Sequence, residues 1–130
     1  MIKGVLIAES LPAGTKLEGV PLTITGFYRV EIQDAAEYQP SLWTIIYFEA
    51  REQDADVLTE FFAANLDTPG WYVDMHTDSE VFVVFPNKVF RYPPGDLGSR
   101  ADAIAHARNV GVPDTQFWGE NDEFVDPALA

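Results

Sequence analysis

The chain has 130 residues, a formal net charge of −13, no cysteine, and is 47% hydrophobic and 13% aromatic. That length suits one domain, and the apolar content argues against disorder for the body of the chain. The missing cysteines exclude a disulfide framework, a thiolate metal site and a cysteine nucleophile.

The charge is unevenly placed. Residues 33 to 80 carry eleven acids and a single base, Arg51, and five more acids follow from Asp114 onward without a base. Such a field repels nucleic acid and anionic membrane and attracts basic partners, although it also serves plain solubility. No apolar run is long enough for a membrane span, and Glu9 interrupts the first one too early for a signal-peptide core, so the expected location is cytoplasmic.

In chain order, Gly4–Leu11 reads as a strand closed by the turn Pro12-Ala13-Gly14. Leu22–Ile32 alternates with period two, placing Leu22, Ile24, Tyr28, Val30 and Ile32 on one face, with Gly26 marking a bulge. A polar loop follows, and then Leu42–Ala50, apolar on both faces as central strands are. Asp54 and Asp56 stand where capping and first-turn acids belong. After them Val57, Leu58, Phe61, Phe62 and Leu66 form a helical stripe that ends at Pro69-Gly70. Trp71–Thr77 and Val81–Phe85 read as strands joined by a tight turn at Asp78-Ser79, and Val89–Tyr92 as a short further strand. Ser99-Arg100-Ala101-Asp102 resembles a capping box, and Gly111 before Val112-Pro113 matches a left-handed helix stop.

The order β-β-β-α-β-β-(β)-α predicts an α+β domain over residues 1–118. Its expected core is a mainly antiparallel sheet of five to six strands with two helices on one face. Part of it, β-α-β-β-α, follows a ferredoxin-like order, which carries no function by itself. Phe117 and Trp118 are expected to dock on the body, and residues 119–130 to form a flexible acidic tail.

The strongest chemical constellation is Asp74-x-His76-x-Asp78, with Glu80 past the turn. Residues two apart on a strand share a face, so Tyr72, Asp74, His76 and Asp78 line up. One imidazole and nearby carboxylates suit a divalent metal or a carboxylate-oriented base. The same row is what any solvated strand face shows, because Trp71, Val73 and Met75 alternate with it. His106 has only Asp102 four residues away and reads as surface decoration. The serines lack a nucleophile-elbow context, and Gly95-Asp96-Leu97-Gly98 lacks the lysine and spacing of a phosphate loop. Trp43, Tyr47, Phe27 and Tyr72 either leave an exposed apolar patch or belong to the core.

The stretches Gly70-Trp71-Tyr72-Val73-Asp74, Glu80–Pro86, Phe90-Arg91-Tyr92-Pro93 and Val110-Gly111-Val112-Pro113 resemble small uncharacterised proteins of GC-rich bacteria. That resemblance implies a domain and no activity. No motif fixes a catalytic group or a cofactor, so the leading expectation is a non-enzymatic protein-binding module: an antitoxin-, immunity- or inhibitor-like protein, or a self-associating one. Asp54, Asp56, Glu60 and Tyr72 are its candidate contact residues, with a basic protein as partner. The alternative is a small metal-binding protein or enzyme working through Asp74, His76, Asp78 and Glu80.

Overall fold

The elements form where side-chain periodicity changes. A computed structural model describes residues 1–119. In chain order these hold β1 (Ile2–Ile7), β2 (Thr23–Glu31), β3 (Leu42–Ala50), α1 (Ala55–Asn65), β4 (Val73–His76), β5 (Val81–Phe85), β6 (Lys88–Tyr92) and α2 (Leu97–Asn109). The acidic segment expected at 119–130 lies, past Gly119, outside the described residues. The strands make one sheet in the order β2-β3-β1-β4-β5-β6, antiparallel throughout. The α+β class and six antiparallel strands are therefore as the patterning predicts.

Both β3 and β4 run antiparallel to β1, so they are parallel to each other, and the β3–α1–β4 connection crosses the strand between them. This split β-α-β unit is the ferredoxin-like part. The likeness stops there, because β5 and β6 continue as a meander and among the described residues no strand follows α2.

The helices do not share one face as expected. Along β5, Phe82 and Val84 pack with Leu58 and Phe62 of α1, whereas Val81, Val83 and Phe85 pack with Ala103 and Ala107 of α2. Successive strand residues point to opposite faces, so α1 and α2 cover opposite sides of the sheet. All five residues of β5 are buried for that reason.

On the α1 side the rings of Phe48 and Phe62 lie 5.7 Å apart. Gly4 makes this packing possible: a Cβ there would stand 2.3 Å from Cζ of Phe48 and 2.8 Å from Cβ of Met75. The phenyl ring occupies the space a side chain would need. Val57, expected in the apolar stripe of α1, is instead exposed.

Two local expectations also change. The bulge expected at Gly26 is present, since the β2–β3 register shifts between Ile24 and Gly26. The shift reverses the alternation upstream: Ile24 opposes Phe48 on the α1 face, while Tyr28 and Val30 oppose Ile45 and Trp43 on the other. Helix α2 begins earlier than the Ser99 box implied. Asp96 is its cap, accepting from the Ser99 N–H at 3.1 Å and the Ser99 hydroxyl at 2.8 Å. Its other end is as expected, with Gly111 at φ +93°. The N–H groups of Gly111 and Val112 donate to the Arg108 and Ala107 carbonyls.

Candidate functional site

Register decides which side chains meet on the α2 side of the sheet. Tyr47, Val5, Asp74, Val83 and Phe90 form one row across β3, β1, β4, β5 and β6. The adjacent row is Glu49, Lys3, His76, Val81 and Tyr92. Directly opposed residues share a face, so Asp74 is flanked by valine on each neighbouring strand. Helix α2 covers the β5–β6 end of these rows. Over β3, β1 and β4 the face opens into a cleft of about 290 Å³, lined by Lys3, Val5, Thr25, Tyr47, Glu49, Asp74 and His76 among others.

The segment after α2 lies over the adjoining part of this face. Arg100 Nη2 donates to the Trp118 carbonyl at 2.7 Å, and Trp118 Nε1 donates to the Tyr92 hydroxyl at 2.7 Å. The Tyr72 hydroxyl donates to the Gln116 carbonyl, and the Gln116 amide donates to Gln39 Oε1 at 2.9 Å. Beneath this strap lies a smaller cavity of about 40 Å³, room for a few waters. Trp43, Trp71, Tyr72, Phe117 and Trp118 line it, and so do Val5 and Asp74. Val5 and Asp74 therefore line both cavities.

Electrostatics follow from this placement. Burial between the valines pushes the Asp74 carboxyl up from 3.8 to about 7, countered only by its own backbone N–H. Burial lowers the His76 pKa, Lys3 across the strand pair lowers it further, and Asp78 opposes them. Burial, followed by the charge of Asp74, raises Tyr72 well above its ordinary value, with Arg100 pulling the other way. A carboxyl displaced towards neutrality in a cleft is the kind of group that functional sites contain.

The residues expected to form a metal or base site are only partly brought together. Asp74 and His76 line the cleft. Asp78 is exposed at the hairpin turn. Glu80 turns to the opposite face, where it holds Arg91 at 3.1 Å through both guanidinium Nε and Nη2. Among the described residues no group of three or more His, Asp or Glu side chains is placed to hold a metal ion.

The expected partner-contact residues separate as well. Asp56 reaches the same Arg91 at 2.7 Å. Asp54 accepts from Arg51 Nε at 3.0 Å instead of capping α1. Glu60 is exposed on α1. Tyr72 lies on the far side of the sheet, edge-on to Trp118 with ring centroids 5.3 Å apart. It is a wall of the inner cavity and not a neighbour of the acidic helix.

His106 is not surface decoration. Its ring packs 4.8 Å from Phe85, its Nε2 is buried with no partner among the described residues, and burial lowers its pKa. The patterning did not single out Lys3, Val5, Glu49 or Arg100 for the site. Their signal is register between strands far apart in sequence, which no local window contains.

Comparison of the chain with protein families, curated proteins and solved structures finds no match. Among the described residues no helix is long and apolar enough to cross a membrane.

Proposed function

We propose that this protein binds a small molecule in the open cleft over β3, β1 and β4. The observation that carries the reading is that Val5 and Asp74 line two neighbouring cavities. An open cleft of about 290 Å³ and a smaller, aromatic-walled recess share the Asp74 carboxyl in their walls. Small-molecule sites are concave, mostly apolar and furnished with a few converging polar groups, at volumes from about 300 Å³ upward. Asp74, His76, Lys3 and Glu49 supply the polar groups; Tyr47, Val5 and Tyr72 supply the apolar surface.

The test is a fragment screen by NMR on the isotope-labelled full chain. Binders should shift the resonances of Val5, Tyr47, Asp74 and His76 together. Val5→Trp, which fills the cleft, should abolish those shifts while leaving a folded spectrum. Hits that map elsewhere, or that survive Val5→Trp, defeat the proposal.

A second reading, association with a protein partner or with another copy, has its own observation. Edge strand β2 exposes Ile24 at 51% and Phe27 at 67%. Apolar side chains beside unpaired backbone groups suit strand addition. Light scattering and pull-down should detect a complex that Phe27→Lys dissolves. A monomer that captures no partner removes this reading and leaves the first intact.

A further inference from the structure

Granted the cleft as a ligand site, we infer that its ligand is a small organic cation, an amine or amidine on an apolar, ring-bearing skeleton, with its charge on the Asp74 carboxylate.

The charge balance of the cleft gives the sign. Lys3 and Glu49 stand directly opposite each other on β1 and β3, so their charges offset. His76 stands opposite Lys3 on the other side, and burial together with that ammonium disfavours its cationic form. Asp74 is left over. Its lateral neighbours are Val5 and Val83, and among the described residues no arginine, lysine or histidine forms an ion pair with it. A carboxylate in an apolar setting is costly unless a counter-charge reaches it. A cationic ligand supplies that counter-charge, and an anionic one would add a second uncompensated charge beside the first.

The walls give the skeleton. Tyr47 borders the carboxyl on the open side, and Tyr72 and Trp118 on the strap side. Aromatic faces attract cations within about 6 Å and accept flat apolar groups as readily. The net charge of −13 favours the encounter, since an acidic surface concentrates cations at the mouth. Phosphate-bearing ligands are disfavoured by the same field. Arg100 turns its Nη2 to the Trp118 carbonyl.

Three probes of nearly one shape separate the possibilities: phenethylamine, 2-phenylethanol and phenylacetate, titrated calorimetrically into the full-length protein at pH 6 and pH 8. The inference expects the amine to bind at least tenfold tighter than the other two at pH 8. It expects that preference to vanish in Asp74→Asn. Because the carboxyl titrates near 7 while the amine stays protonated, amine affinity should rise about tenfold from pH 6 to pH 8. The other groups facing Asp74 are Lys3, Glu49, His76, Tyr72, Tyr92 and Arg100; protonation of His76 at low pH acts in the same direction. Asp74→Asn retains His76, so a pH response that survives the substitution belongs to the histidine and counts against the inference. If the alcohol binds as tightly as the amine, or the substitution leaves amine binding unchanged, the cation assignment falls and the cleft remains. If none of the three probes shifts the resonances of Val5, Tyr47 and Asp74, the cleft itself falls and the assignment with it.

Discussion

The two faces of the sheet solve different problems with the same six strands. Under α1 the face is closed. Phe48, Phe62, Phe82, Val73 and Met75 are fully buried, and even the absent side chain of Gly4 is used as space for a ring. Under α2 only the β5–β6 half is closed, by Ala103, Ala107 and Trp118, while the β3–β1–β4 half holds Lys3, Glu49, Asp74 and His76 around a cleft. A tightly packed layer on one side lets the other side keep a carboxyl in a poor environment. Sites that bind or react are commonly less stable than the scaffold needs, and the scaffold offsets the deficit.

The closed face should be the more sensitive. Phe62→Ala removes a fully buried ring that touches Phe48 and Phe61, and the expected loss is about 3–5 kcal/mol, measured as the shift in urea-unfolding midpoint at constant slope. A loss below about 1 kcal/mol would mean that this face is not the stability centre. Gly4→Val tests the same layer by overfilling it. With Phe48 and Met75 within 3 Å of any Cβ, we expect a loss of about 3 kcal/mol by the same measurement.

On the open face the sign reverses. The folded-state pKa of Asp74 lies above its unfolded value, at about 7 against 3.8, so the folded protein holds the proton more tightly. Its ionisation penalty is absent below about pH 4, grows as pH rises through this window, and is complete above about 7. Asp74→Asn should therefore leave stability near pH 4 almost unchanged and raise it by about 2 kcal/mol at pH 8, allowing for the water that reaches a half-buried group. Thermal unfolding of both proteins from pH 4 to 8 checks this, and a constant offset between the two curves would refute it.

The smallest effect belongs to the surface of the closed side. Arg91 bridges Asp56 and Glu80, with its guanidinium 4.6 Å from the Phe82 ring. These are solvent-exposed pairs, so Arg91→Gln should cost less than about 1 kcal/mol, and less again in 1 M salt. A larger, salt-independent loss would show that the stacking on Phe82, and not the ion pairs, matters most.

This asymmetry explains what could be read from the sequence. Periodicity located all six strands and both helices, because alternation and helical stripes are local. It misjudged how the layers stack. The rule that a strand apolar on both sides is covered on both sides does not hold for Leu42–Ala50, where Leu42 is exposed; the strand that obeys it is Val81–Phe85, buried at every position. Applied there, the rule would have put one helix on each face. Asp74 illustrates the limit differently. Its alternation with Val73 and Met75 correctly gives its face, but its burial comes from Val5 and Val83 on neighbouring strands and from aromatic walls that include Trp118, more than forty residues downstream. The sequence pattern puts Glu80 and Asp56 at different sites for the same reason. Only the tertiary fold brings them to one guanidinium.

The bulge at the start of β2 has an effect beyond the alternation it reverses. β2 is nine residues long and forms one border of the sheet, a shape that invites another chain to add on. The extra residue between Ile24 and Gly26 interrupts the border, so an added strand can pair regularly only along the run from Gly26 to Glu31. Arg29 and Glu31 place charges along that run. The irregularity thus works against filament growth, and removing Thr25 would restore a straight border with the exposed Ile24 and Phe27 side by side on the α1 face: a template for aggregation between copies that otherwise carry like charge.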